Sequence, residues 1–333
     1  MKELTDIIFT DSTPEKIGYS VILSMHRGKW VFVKHKERDT YEIPGGRLEG
    51  NETPLDAAKR ELYEETGAKT FTIRGICYYG VKRPGSNNIS YGSLFFANIT
   101  EFDNLPDFEM TERIFTDTVP ENMTYPDIQP LLHKKGVEWL AENSTVLYMV
   151  RHAKPDYTYE DDATRPLLQE GIEAAQKLVD VFADIHIDTA YSSPYVRSVD
   201  TIKPICEAKG ILIATEYDLR ERKVGESWIS DDDFKNFALN QWSDFDYKLE
   251  DGESLRRVQQ RNIAALNKIL KENERETIIV GTHGTALSTI LNHYHPDFGY
   301  EESEKMKPKL PYIFKLRFIL DEFIDGLEIL CNI

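Results

Sequence analysis

GRLEGNETPLDAAKRELYEETGA, residues 46–68, decides how the first half of the chain is read. Gly45-Gly46 makes a tight turn, and Thr53 is a side-chain cap followed by Pro54 at the first helical position. Leu55, Ala58 and Leu62 then recur at helical spacing, and Gly67 ends the run. Glu61, Glu64 and Glu65 stand at i, i+3 and i+4, so they share one helix face. Three carboxylates on one face repel one another, and a hard divalent cation with oxygen ligands relieves that best. The glycine turn can offer a backbone carbonyl to the same ion. The chemistry expected of such a helix is metal-assisted attack of water on a pyrophosphate linkage.

The segment resembles the Nudix box, G-x5-E-x7-R-E-U-x-E-E-x-G-U with U aliphatic. Ala68 is a small last member, and every other defined position matches. The resemblance implies an α/β/α sandwich with a mixed sheet and a Mg²⁺ cofactor, with Mn²⁺ as the alternative. It implies that Glu61, Glu64, Glu65 and the Gly45 carbonyl are ligands, with Glu61 also the candidate base. Arg60 and Glu52 would pair to hold the loop. A late carboxylate is often added from beyond the sheet; Glu109 is favoured here over Glu112. The surrounding segments TYEIPGG, LPDFEMTERIF and TYPDIQP look like the MutT-type branch. Trp30, Tyr41, Glu42 and Tyr91 are candidates for base recognition, and each also reads as core.

Outward from this helix, residues 17–35 read as two strands around a His-Arg-Gly turn, residues 70–100 alternate like strands, and residues 127–142 form a closing helix. A second start follows at residues 144–150, STVLYMV, a short apolar run of the kind found in buried parallel strands. Helix 167–184, strand 187–192, helix 195–208 and strand 210–215 come next. An irregular acidic stretch runs to about residue 250. Helix 253–272, strand 277–282, helix 285–293 and a C-terminal strand pair close the chain. Strand–helix alternation predicts a mostly parallel α/β sheet. The domains expected are therefore 1–143 and 144–333.

In an open parallel sheet, ligands bind at the carboxyl ends of the strands. Three such ends carry Arg151-His152-Ala153, Ser192-Ser193-Pro194 with Arg197 one helical turn on, and Thr282-His283-Gly284. Glu221 sits on a loop, in Leu219-Arg220-Glu221-Arg222. A neutral imidazole can attack phosphorus, arginines grip phosphate oxygens, and a carboxylic acid can protonate the leaving oxygen. This order of motifs resembles the histidine-phosphatase superfamily, which includes the cofactor-dependent phosphoglycerate mutases. The resemblance implies that His152 is the nucleophile, that Arg151, Arg197 and His283 form the phosphate pocket, that Glu221 is the acid, and that no metal or other cofactor is needed. The family often has an Asn a few residues after the opening motif, where this chain reads Lys154-Pro-Asp-Tyr-Thr-Tyr. Arg220, Arg222 and Glu226 are rim candidates that also read as surface charge.

The chain has 333 residues, 41% apolar and 29% charged, with a net charge of −17. Residues 1–143 hold 17 basic and 23 acidic residues, and the remainder 23 and 34, so both halves are acidic. That argues against nucleic-acid polymers and anionic membranes as partners, but not against a small phosphorylated substrate held in a local Arg/His pocket. The three cysteines are far apart and make no metal or disulfide pattern. There is no signal pattern and no spanning apolar run. A cytoplasmic location is expected; the oligomeric state is not predicted. Nudix followed by histidine phosphatase resembles enzymes that sanitise oxidised nucleotides such as 8-oxo-dGTP. The expected activity is therefore a bifunctional phosphohydrolase, cleaving a nucleoside triphosphate and then a phosphate monoester. The alternatives are two unrelated substrates, the second a sugar phosphate or other small ester, or one half acting as a non-catalytic sensor.

Overall fold

The computed structural model describes residues 5–86, 88–225 and 231–329. The chain divides into two compact units, Met1–Asn143 and Ser144–Ile333.

In the first unit the order is β1 (Asp6–Thr10), β2 (Tyr19–His26), β3 (Lys29–His35), β4 (Tyr41–Glu42), β5 (Gly45–Arg47), α1 (Pro54–Thr66), β6 (Ala68–Lys82), β7 (Ile89–Phe102), β8 (Met110–Thr116) and α2 (Gln129–Asn143). The sheet runs β1-β6-β7-β2-β3-β4, with β5 on β2 and β8 on β3. It is mixed: β2 and β7 are parallel, while β2 and β5 are antiparallel. Neighbouring residues of β2 point to opposite faces. Ile22 packs with Ala58 and Leu62 of α1. Leu23 lies against Gly136 of α2, so closely that a Cβ there would stand 1.9 Å from Leu23 Cδ1. One helix thus covers each face of the sheet.

α1 begins and ends where its sequence dictates. The Thr53 hydroxyl accepts the Asp56 N–H and the Asp56 carboxylate accepts the Thr53 N–H, a reciprocal cap. Gly67 takes a left-handed φ of 70° and returns its N–H to the Tyr63 carbonyl at 2.7 Å.

The second unit runs β9 (Thr145–Arg151), α3 (Gln169–Val181), β10 (Thr189–Ser192), α4 (Val196–Lys209), β11 (Ile213–Thr215), α5 (Asp231–Ser243), α6 (Leu255–Glu272), β12 (Thr277–Thr282), α7 (Gly284–Tyr294), α8 (Tyr300–Met306), β13 (Tyr312–Ile319) and β14 (Glu322–Ile329). The sheet order is β11-β10-β12-β9-β13-β14. The first four strands are parallel, and the C-terminal pair joins antiparallel. Leu147 and Met149 pack with Leu266, Leu287 and Ile290 of α6 and α7. Tyr148 and Val150, the alternate residues, pack with Leu178, Ile202 and Ile205 of α3 and α4. Helices therefore cover both faces, as a parallel sheet requires. The acidic stretch expected to be irregular up to about residue 250 contains α5, and α8 also lacks a counterpart in the sequence reading.

Candidate active sites

In the first unit, β5 lies along β2, and α1 rises behind it. Gly46 faces the helix: a Cβ there would stand 2.0 Å from Glu61 Oε1, so only glycine leaves that carboxylate its place. Arg60 holds Glu52 through Nε at 2.8 Å and Nη2 at 3.0 Å, and its Nη2 also donates to the Arg47 carbonyl. Its Nη1 reaches Glu61 at 2.9 Å and Glu64 at 3.1 Å. The Glu52–Arg60 pair thus ties loop to helix and partly neutralises two of the three helix carboxylates. The third, Glu65, accepts the Gly45 N–H at 2.8 Å. The contact to Gly45 is made through its N–H.

Burial pushes the Glu65 carboxyl well above its ordinary range, and the charges of Glu61, Glu42 and Glu109 push the same way. Burial also raises Glu61, against the pull of Arg60. Glu42, named above only as a base-recognition candidate, is buried and raised by burial, with Glu109 adding to it and Arg38 opposing. Glu109 is exposed, 3.7 Å from His35 Nε2. Glu112 instead accepts the Tyr41 hydroxyl at 3.4 Å. The charges of Glu61, Glu42 and Glu109 thus converge on the buried Glu65 carboxyl. A divalent cation would reverse that balance, so the donor set fits one. Among the described residues, no three His, Cys, Asp or Glu side chains close on a common point as they stand, because Glu61 and Glu64 turn toward Arg60. Trp30 is core, packed edge-on against His133 at 4.4 Å. Tyr91 borders a cleft of about 720 Å³ together with Tyr19 and residues of the 10–16 segment.

In the second unit, the strand registers bring the motifs level. Thr282 pairs with Arg151, and Ser192 with Gly281. The ladder continues one residue further, with the His152 N–H on the Thr282 carbonyl and the Ser193 N–H on the Gly281 carbonyl, both at 3.0 Å. The His152 and His283 rings consequently stand 5.3 Å apart. His152 Nδ1 lies 2.8 Å from the Ala153 carbonyl, which can only accept, so Nδ1 carries the proton and Nε2 keeps its lone pair. Burial holds the His152 imidazole well below its ordinary pKa, with the charges of Arg197, Arg151 and Arg165 adding to the effect. His283 is depressed for the same reasons, burial first. Both rings are therefore neutral at pH 7, and a neutral imidazole with a free Nε2 can attack phosphorus.

The surroundings suit an anion. Arg151 is buried and donates through Nη1 to the carbonyls of Met306 and Lys307, at 2.9 and 3.0 Å, while its Nε has no partner. His283 Nε2 is 2.7 Å from Ser193 Oγ, and its Nδ1 is also buried and unpartnered. Arg197 is buried on the first turn of α4. Glu221 meets the N-terminus of α7, accepting from Thr285 N at 3.0 Å and Ala286 N at 3.2 Å, besides Arg222 N at 2.7 Å. Buried donors without partners are costly until an acceptor arrives.

Two residues not singled out by sequence reasoning belong here. Arg261, on α6, donates to the carbonyls of Asp218, Arg220 and Glu221 and pairs with buried Glu253 at 3.0 Å, bracing the loop that carries Glu221. Arg165 pairs with Asp162 at 2.7 Å. Arg222, expected at the rim, is buried, with its guanidinium over the Phe237 ring and bonded to Gln241. Arg220 does lie nearer the surface, tied to Asp218 at 2.8 Å. Glu226 lies outside the described residues.

Fold and site together define a two-unit chain of phosphohydrolase families. The chain belongs to the histidine phosphatase superfamily (branch 1), matched over residues 147–322, and carries a NUDIX domain over residues 14–119. It is 32% identical over 194 residues to an 8-oxo-(d)GTP phosphatase of Mycolicibacterium smegmatis, covering 56% of this chain and 58% of that one. It is 34% identical over 98 residues to a putative 8-oxo-dGTP diphosphatase of Bacillus subtilis, covering 29% of this chain and 60% of that one. The chain thus spans about three-fifths of the length of these curated relatives. Among solved structures, a mycobacterial glucosyl-3-phosphoglycerate phosphatase aligns with a TM-score of 0.48 at 16% identity, over 57% of this chain and 99% of that one. Nudix domains generally use a divalent metal such as Mg²⁺. No helix among the described residues is long and apolar enough to cross a membrane.

Proposed function

We propose that the chain is a bifunctional phosphohydrolase of the nucleotide pool, acting in the cytoplasm on small phosphorylated substrates. The first unit would hydrolyse a nucleoside triphosphate, an oxidised one such as 8-oxo-dGTP, and the second a phosphate monoester. The observation that carries the reading is the neutral His152 imidazole, its Nε2 free, set among three arginines. Similarity to the 8-oxo-(d)GTP phosphatase of Mycolicibacterium and the putative 8-oxo-dGTP diphosphatase of Bacillus supports the choice of nucleotide.

In the first unit, Glu61, Glu64, Glu65, the Gly45 carbonyl and Glu109 would hold Mg²⁺. When bound, it would supply charge neutralisation at the phosphates and polarise them toward attack by water. Arg60 orients Glu61 and Glu64, Glu61 takes the proton of the attacking water, and Glu65 is fixed by the Gly45 N–H.

In the second unit, the His152 Nε2 lone pair attacks phosphorus and the bond to the ester oxygen breaks. Glu221 gives its proton to that oxygen. Arg151, Arg197 and His283 hold the three other phosphate oxygens. Water, deprotonated by Glu221, then attacks phosphorus, and the P–N bond breaks to return neutral imidazole and orthophosphate. The units 1–143 and 144–333 are proposed as separate catalysts.

The test is a double dissociation on the full chain. Chelation should stop hydrolysis of the triphosphate, with phosphate and pyrophosphate measured separately, and leave p-nitrophenyl phosphate turnover intact. His152→Ala should do the reverse, and the native protein quenched in turnover should carry acid-labile phosphate. Monoester turnover surviving in His152→Ala would refute the second half of the reading, and chelator-resistant triphosphate hydrolysis the first.

A further inference from the structure

The loop between β9 and α3 is pinned at its base. Pro155 bridges Leu167, the Asp156 N–H meets the Pro166 carbonyl at 2.9 Å, and the Leu168 N–H meets the Lys154 carbonyl at 3.0 Å. Its far side docks on α4, where the Val196 N–H reaches the Ala163 carbonyl at 3.0 Å, one residue before Arg197. The Asp162 main-chain carbonyl accepts from Arg197 Nη1. Its carboxylate lies 3.2 Å from Arg197 Nη2 and 2.7 Å from Arg165 Nη1. Arg165 further donates through Nε to the Tyr159 carbonyl at 3.0 Å and through Nη2 to the Glu160 carbonyl at 3.5 Å.

Two guanidiniums therefore share one carboxylate, and both are withdrawn from water: side-chain exposure is 3% for Arg197 and 13% for Arg165, against 43% for Asp162. A nearly buried cation whose carboxylate partner is half claimed by its neighbour is undercompensated, and an anion brought beside it corrects that. Of the five N–H groups a guanidinium offers, Arg165 spends three and Arg197 two. The Arg165 charge reaches the His152 ring along with those of Arg197 and Arg151.

We propose that Arg165 is a further phosphate-binding residue of the second unit, and that Asp162 is the positioning carboxylate that aims Arg165 and Arg197 together at the bound phosphate. The inference rests on the phosphohistidine reading of that unit.

The experiment uses the full chain, p-nitrophenyl phosphate as substrate, and orthophosphate and orthovanadate as competitive inhibitors. Arg165→Ala should raise both inhibition constants and the KM by about tenfold to a hundredfold, the worth of one charge-assisted hydrogen bond. Added guanidinium ion should recover part of the loss. Arg165→Lys, which keeps the charge without the fork, should fall between. Asp162→Asn, which keeps one acceptor, should raise the inhibition constants less than Arg165→Ala. Unchanged inhibition constants in Arg165→Ala, or a loss that guanidinium does not relieve while triphosphate hydrolysis stays normal, would mean that Arg165 only braces its loop, and the inference would be overturned. His152→Ala is run alongside: turnover persisting there sinks the underlying reading instead, which keeps the two failures distinct.

Discussion

Gly46→Ala separates catalysis from stability in the first unit. The added Cβ would stand 2.0 Å from Glu61 Oε1 and 2.4 Å from its Cδ, whereas real Cβ atoms essentially never come closer than 3.0 Å. The carboxylate must therefore retreat by about 1 Å or more, breaking its 2.9 Å contact with Arg60. A misplacement of about 1 Å at a reacting centre costs on the order of a hundredfold in rate. The obstacle is the end of a flexible side chain, so folding should change by less than about 1 kcal/mol. Gly45→Ala is the contrast: the Cβ would meet Ser20 O at 2.4 Å and Val21 Cα at 2.8 Å, at a φ of +155°. Backbone cannot swing aside, and the cost should be at least about 2 kcal/mol of stability. The assay measures triphosphate hydrolysis with Mg²⁺, p-nitrophenyl phosphate turnover as an internal control, and thermal unfolding. Gly46→Ala with native triphosphate hydrolysis would refute the placement of Glu61 at the reacting centre.

Glu221→Gln keeps an acceptor for the N-terminus of α7 but has no proton to give. It should slow esters with poor leaving groups by about a hundredfold or more and p-nitrophenyl phosphate far less, and equal losses would remove Glu221 as the acid. His133 is held at about 4 by burial, against 6.5 when unfolded. The unfolded chain thus binds more protons between those values, and stability present above pH 6.5 is lost as pH falls toward 4, by about 3 kcal/mol at most. Urea unfolding at pH 7.5 and pH 4.5 should show that loss in the native protein and a smaller one in His133→Leu; equal slopes would exclude His133 as a source. Fragments 1–143 and 144–333, assayed apart, mixed and joined, should each keep one activity, and two inactive fragments would end the claim of independence.

Local rules carried the first unit. The Thr53 cap, the Gly67 stop and the stripe of Ala58 and Leu62 lie within one helix, where spacing in sequence is spacing in space. The same holds for the strand ends at Arg151, Ser192 and Thr282, whose level register follows from parallel pairing. Helix α5 is not legible in the sequence because it opens on Asp231-Asp232-Asp233, inside the stretch that reads as irregular and acidic. Arg165 and Arg261 were missed for a different reason. Arg261 reaches the Glu221 carbonyl from 40 residues away, and Arg165 meets Arg197, 32 residues on, only through the Asp162 they share; periodicity carries no information at that range. The sharing of Glu42, Glu65 and Glu109 in one field is likewise a product of β4 and β8 flanking β3.

Arg151 belongs to the proposed phosphate pocket, yet the same guanidinium satisfies the carbonyls of Met306 and Lys307 at the end of α8. Polar residues at active sites are ordinarily a drain on stability, so their loss strengthens a fold. Here the opposite holds, since removing Arg151 would take the donor from the Lys307 carbonyl and leave the Met306 carbonyl only the Lys309 N–H. A descendant of this chain that abandoned catalysis and drifted toward a binding role would therefore shed His152 well before Arg151. In such a lineage, the arginine of the Arg-His pair would be a relic of architecture, and only the histidine would report whether chemistry survives.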